Sequence, residues 1–349
     1  MSLSKKEMKK THLMLHIGLR KTGTTTFQRS IFPSLIPGMY LGKAGEHKRS
    51  YSNLMSRIIK SRGRSRHEHI ERLLSRIGEL ADAYRQNGGD LPSDTFVISS
   101  EGMSTRPTTG SLMKSVDASD FRPCVPAEYP VFPALESLRA AWKQRFGGEV
   151  KLLLTIRSQR ELLASEYSQV SAYLTNPSQG DFERRATALL ESRDQHFNYY
   201  LWARAMEDSA GRSNILMIDM AVINEPATLE RLATFIGAEA PVNSAMLEEN
   251  QRQNVSRTTQ DTWKLRDFRI SKWVKKIAPR GYRKSVPHRA VLRVARACDP
   301  LFAWVFRTVH NVEQPRALYV NEQIRDTIDR LVCDANRQLR EEYSDILVE

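Results

Sequence analysis

The sequence predicts an α/β protein: a central parallel sheet flanked by helices in three layers, continuing into a mostly helical C-terminal segment. Three observations predict this. Short apolar runs alternate with longer helix-like stretches, the pattern of successive strand–helix units. Residues 13–17 and 150–156 are close to continuously apolar, as in strands covered on both faces. Cations follow both runs, Arg20 and Lys21 after Gly18 and Leu19, and Arg157 directly, and the carboxyl ends of strands are where open α/β sheets bind ligands.

The first element is a strand over residues 13–17, stopped by Gly18. The turn Gly18-Leu-Arg20-Lys21-Thr22-Gly23-Thr24-Thr25-Thr26 follows, and a helix-like pattern covers 24–32. Backbone N–H groups at a helix start favour an anion. Gly18 and Gly23 permit a tight turn and a close backbone approach. Lys21 adds a mobile cation, and Thr24, Thr25 and Thr26 add hydroxyls. The nucleoside-triphosphate loop, G-x-x-x-x-G-K-[ST], places its lysine after the second glycine. Here the glycine spacing fits, but Thr24 holds that position and Lys21 precedes Gly23.

A helix over 67–85 precedes a second strand, 95–99, after which Glu101 stands at the strand's carboxyl end. Residues 102–129 are irregular and rich in Pro, Ser and Thr, and read as a loop over the site. A helix over 134–145 precedes the third strand, 150–156, which ends at Arg157. The helix over 159–173 then carries Ser165 about two turns along. Arg157 and Ser165 are placed to hold one small anion between them. A long helical stretch over 181–208 leads to the fourth strand, 214–218, and to a helix from Pro226 that stops at Gly237. Residues 250–259 are irregular, and 319–343 read as a closing amphipathic helix.

These motifs resemble the family of sulfotransferases that use 3′-phosphoadenosine 5′-phosphosulfate (PAPS). Arg20, Lys21, Thr22, Gly23, Thr24, Thr25 and Thr26 are similar to that family's 5′-phosphosulfate loop. Arg157 and Ser165 match its arginine and serine for the 3′-phosphate, eight residues apart. The strand at 214–218 and the helix ending at Gly237 also fit, and the closing helix is similar to bacterial members. The resemblance implies a P-loop nucleotide-kinase-like sandwich with PAPS as co-substrate and no metal. It implies Lys21 at the leaving oxygen and Glu101 as base, since members place His or Glu at that strand end. Heparan-type members instead take a base about twenty residues after the loop, where Lys43-Ala-Gly-Glu46 is a loose match. His16 reads as a core histidine.

Residues 1–260 are expected to form this core, 261–310 a basic helical insertion, and 311–349 a helix packing back on the core. The net charge of +13 concentrates in residues 264–307, which hold 13 Lys or Arg and two acids (13 − 2 = +11), leaving +2 elsewhere. This segment mixes cations with large apolar residues. Three uses stay open: a helix packed on the body, a surface for anionic membrane, or attraction of acidic acceptors. Nucleic acid is not expected, because no recognition motif accompanies the charge. No run is long enough to span a membrane. Cys124, Cys298 and Cys333 suit neither a disulfide framework nor a metal site. With no signal-peptide pattern at the start, the expected location is the cytoplasm, with peripheral membrane contact open. The acceptor is a small molecule, glycan or lipid-linked group, and the sequence does not specify an oligomeric state. Two other functions remain: phosphoryl transfer from a nucleoside triphosphate, and non-catalytic binding of anions or membrane.

Overall fold

The computed structural model describes residues 10–19, 21–42, 50–86, 91, 93–104, 124–174, 177–192, 195–238, 257–259, 262–265, 269–271, 274, 286–309 and 317–349. Strands β1 (Thr11–Gly18), β2 (Thr95–Ser99), β3 (Gly147–Ile156), β4 (Ile215–Asp219) and β8 (Leu347–Val348) form one sheet in the order β2-β1-β3-β4-β8. Every pairing in it is parallel. The expected parallel sheet flanked by helices is therefore present. His16 lies opposite Ser99, Gly18 opposite Thr155, and Ile156 opposite Asp219. This register puts the carboxyl ends of β1, β2, β3 and β4 on one edge.

The burial pattern explains the layers. All of β2 is buried, and so is β1 except at His12, so neither strand has a solvent face. Helices α3 (Ser50–Lys60), α5 (Val131–Phe146) and α8 (Tyr199–Ala210) pack on the strands. Behind them lie α4 (Gly63–Gln86) and α11 (Glu322–Tyr343). The indole of Trp142 on α5 donates to the carbonyl of Thr11 at 2.8 Å and fixes the helix against the start of β1. The outer edge of β2 is covered by a short extended segment at Tyr40, where Leu41 N–H donates to Val97 O at 2.8 Å. A covered edge offers no template to another strand.

Three expectations need correction. The stretch 181–208 is two helices, α7 (Gln179–Glu191) and α8, with a 3₁₀ turn between them. Asn198 caps α8, accepting from Leu201 N–H at 3.1 Å. Asparagine competes for the backbone in this way and favours a helix start over a helix interior. The helix after the first turn runs further than residue 32. It comprises α1 (Thr24–Thr26), a π-helical turn Phe27–Ile31 and α2 (Phe32–Leu35). Phe32 N–H reaches back to Phe27 O, and the next residue, Pro33, has no N–H to give. Third, Arg257–Thr259 forms a strand within the stretch 250–259 that reads as irregular, and strand β8 is not expected from the sequence at all. Two residues following a helix carry no periodic signal.

A second sheet joins β5 (Arg257–Thr259), β6 (Thr262–Lys264) and β7 (Ala317–Leu318), all antiparallel. Trp263 pairs with Leu318, so the chain leaves the body at β6 and returns beside the same point. Within that excursion lies α10 (Val286–Val309). No described helix is long and apolar enough to cross a membrane.

Candidate functional site

The site is built where β1 ends. Gly18 must be glycine, because a Cβ there would sit 2.1 Å from the hydroxyl of Thr24. Lys21 takes a left-handed backbone (φ 66°) and Gly23 does too (φ 69°). For glycine this is free, but for lysine it costs roughly 1–2 kcal/mol. Strain of this kind persists where the surroundings impose it, and such positions cluster at ligand sites. After Gly23 the chain enters α1, whose Thr26 N–H donates to Gly23 O at 2.8 Å, while the N–H groups ahead of it have no preceding turn of helix to bond. The Thr24 hydroxyl is buried and has no partner among the described residues. A buried hydroxyl of that kind costs free energy until something bonds it.

Beneath the turn runs a buried chain of hydrogen bonds whose direction can be worked out. Gln28 Nε2 donates to Ser99 Oγ at 3.0 Å. Ser99 Oγ is 2.8 Å from His16 Nδ1. His16 Nε2 is 3.2 Å from Thr155 Oγ1, which is 2.8 Å from Thr22 Oγ1. Thr22 Oγ1 ends the chain by donating to the carbonyl of Leu19 at 2.8 Å. A carbonyl only accepts, so Thr22 spends its proton there and must accept from Thr155. Thr155 in turn accepts from His16 Nε2–H, which leaves Nδ1 to accept from Ser99. All the bonds point one way, from Gln28 in the π-helical turn to the turn after β1. The order requires neutral His16 with its proton on Nε2. Complete burial agrees, pushing the imidazole down to about 3.

Arg157 follows β3 on the same edge. Its Nη1 donates to Lys21 O at 3.2 Å, and its Nε pairs with Glu161 at 2.7 Å. Its own carbonyl accepts from Tyr199 Oη at 2.6 Å. The guanidinium therefore braces the turn. Ser165 is buried on α6 (Gln159–Val170), about 9 Å of helical rise from the start of that helix. No hydrogen bond links it to Arg157 among the described residues. Glu101 opens a 3₁₀ turn, Glu101–Ser104, two residues beyond β2. That turn is pinned over the site, since Ser104 Oγ donates to Gly18 O at 2.6 Å. Thr22, Thr24 and Thr26 are buried, and Thr25 is exposed. Arg20 and Glu46 lie outside the described residues.

Beside Arg157, a cavity of about 280 Å³ opens between the ends of β3 and β4 and helix α11, with Tyr199, Asp219, Asn336 and Arg340 on its walls. Asp219 ends β4, but its Oδ1 caps the next turn, accepting from Ala221 N–H at 2.9 Å. Burial raises its pKa, and Glu161 and Glu349 add to the effect. No cluster of metal-ligating side chains occurs among the described residues.

Sequence reasoning missed the polar chain under the turn. Its signal was faint: His16, Ser99 and Thr155 are polar interruptions within strands, and only strand register makes them neighbours. Glu161 was more legible, being four residues from Arg157.

The fold and the turn define a parallel α/β protein with a glycine- and threonine-rich turn at the end of its first strand. No protein-family model matches the sequence, and no curated protein matches it. Among solved structures it is similar to retinol dehydratase in complex with androsterone and inactive cofactor PAP, at 12% identity and a TM-score of 0.30. That match covers 69% of this chain and 63%, less than two thirds, of the other.

Proposed function

We propose that this chain transfers a sulfonate group from PAPS to a hydroxyl or amine of a carbohydrate or lipid-linked acceptor. The observation that carries the reading is the turn itself. Lys21 stands before Gly23, and the Thr24 hydroxyl is buried and unpartnered among the described residues at the helix start. These features fit an anionic group at the turn and do not fit a loop whose lysine must follow the second glycine. Arg157, tied to the Lys21 carbonyl, supports a ligand that spans the ends of β1 and β3.

In this reading Thr22, Gly23, Thr24, Thr25 and Thr26, with Arg20, hold the phosphosulfate end. Arg157 and Ser165 hold the 3′-phosphate. PAPS supplies the sulfonate. Lys21 brings a positive charge to the oxygen on which negative charge builds. Glu101 takes up the proton of the acceptor. The polar chain from Gln28 to Leu19 holds the turn in shape.

The test is thermal stabilisation by 3′-phosphoadenosine 5′-phosphate against Mg²⁺ with ATP. At a hundred times its dissociation constant, the preferred ligand adds about 2.7 kcal/mol. The adenosine 3′,5′-bisphosphate is expected to raise Tm, and Mg²⁺ with ATP is not. The opposite result establishes phosphoryl transfer instead. Stabilisation without turnover on any acceptor leaves a binding protein.

A further inference from the structure

Helix α10 (Val286–Val309) presents a surface that the site at the turn does not use. Its buried side is narrow. Only His288 and Ala295 are fully buried among its described side chains. Asp299, the one acid in the helix, is bonded to the Ser271 N–H at 3.0 Å and hydroxyl at 2.6 Å. Leu292, Cys298, Phe302 and Ala303 are half-buried, and the outward circumference beyond them is not polar all round. Val294, Leu301, Trp304 and Val309 are 64%, 59%, 62% and 70% exposed, and Val291 and Val305 are exposed as well.

These residues are ordered around the helix. At 3.6 residues per turn, Val291, Val294, Leu301, Val305 and Val309 fall within a stripe about 80° wide. Arg289, Arg293 and Arg296, all exposed, fall within a second stripe about 60° wide. Trp304 projects between the two. A packed surface helix would turn its apolar stripe to the body and its cations to water. Here apolar and cationic stripes are both outside, with an aromatic residue at their boundary. That arrangement matches a helix lying in the plane of a membrane interface. The charge names the occupant: residues 264–307 carry +11, which complements an anionic lipid surface.

We infer that α10 docks this protein onto an anionic membrane, lying on the surface with Val294, Leu301 and Val305 inserted and Arg289, Arg293 and Arg296 among the headgroups.

The test is co-sedimentation of the 349-residue chain. Vesicles of equimolar phosphatidylcholine and phosphatidylglycerol are compared with phosphatidylcholine alone at low salt. Pelleting with the anionic vesicles only, reversed by salt, is expected. The double variant Leu301→Glu, Val305→Glu is expected to reduce the bound fraction about tenfold. Both positions are exposed, so its Tm should be unchanged. Should that variant unfold, Arg293→Glu with Arg296→Glu asks the same question through charge. Failure of the wild type to pellet with anionic vesicles overturns the inference, as does equal binding to phosphatidylcholine alone. So does undiminished binding by a folded variant. Self-association without vesicles that Leu301→Glu dissolves assigns the face to a second copy and overturns it too. None of these outcomes bears on nucleotide binding at the turn.

Discussion

The guanidinium of Arg157 donates from Nη1 to the backbone carbonyl of Lys21, 3.2 Å away. One strand end thus holds the turn that follows another. The left-handed backbone of Lys21 is the strained point of that turn, and Arg157 is bonded to it. The fork of arginine reaches Lys21 and Glu161 together, which the single ammonium of lysine cannot reproduce. Arg157→Lys should therefore weaken binding of 3′-phosphoadenosine 5′-phosphate by about tenfold to a hundredfold, the range for hydrogen bonds to charged groups. Isothermal titration would measure it. Unchanged affinity would remove Arg157 from both of its assigned duties.

Thr155→Val cuts the polar chain in its middle. The valine keeps the shape but leaves His16 Nε2–H with no acceptor and Thr22 with no donor to it. One or two unsatisfied buried groups should cost about 1–3 kcal/mol in urea unfolding. Thr155→Ser retains the hydroxyl and should recover most of the loss. Equal stability of the valine and serine variants would show that the hydroxyl is immaterial.

Stability should fall on acidification because His16 is held neutral. Its folded value is pushed down to about 3, while the unfolded chain titrates near the ordinary 6.5. Below about pH 6.5 the unfolded state binds the extra proton, so this contribution is present at neutral pH and lost as pH falls toward 3. Between pH 7 and pH 5 the loss is about 2 kcal/mol. His16→Gln cannot titrate, so its stability profile should be flatter over that interval. Parallel profiles for the two proteins would contradict the assigned tautomer and its burial.

Gly18→Ala should disable the turn. The added methyl would lie 2.1 Å from the Thr24 hydroxyl, so either Thr24 rotates or the backbone shifts. Nucleotide binding should be lost with a modest change in Tm. Adding Thr24→Ala relieves the clash and should restore folding stability but not full affinity. Restored affinity in the double variant would mean that the Thr24 hydroxyl contributes nothing to binding.

The base is tested by turnover. Glu101→Gln should lower kcat by about a hundredfold or more while leaving nucleotide affinity near the wild-type value. Glu46→Gln should have little effect. The reverse pattern transfers the base to Glu46.

Much of the fold was legible because it depends on local pattern. The strand at 95–99 matches β2 in both bounds, and the others were shifted or short by a few residues. Buried parallel strands read as continuous apolar runs, and helix α9 (Pro226–Ile236) announces its stop with Gly237. The break between α7 and α8 was not legible, because the helical pattern continues past the cap at Asn198. Strand β8 was also invisible, since two residues become a strand only by pairing with Met217 and Ile218. The site divides the same way. The turn from Gly18 to Thr26 and the position of Lys21 are properties of the chain order. The pairing of Arg157 with Glu161 was within reach of a four-residue spacing rule.

The sequence by itself determined a parallel α/β sheet, a threonine-rich turn with its lysine before the second glycine, and a strongly basic segment. All three follow from residues near one another in the chain. Tertiary structure alone decided that His16, Ser99 and Thr155, up to 139 positions apart, form one directed chain of hydrogen bonds. It also decided that Arg157 braces Lys21, and that α10 turns its apolar stripe outward. The reason is physical. Periodicity records which side of an element is apolar, but strand register and packing decide what that side meets.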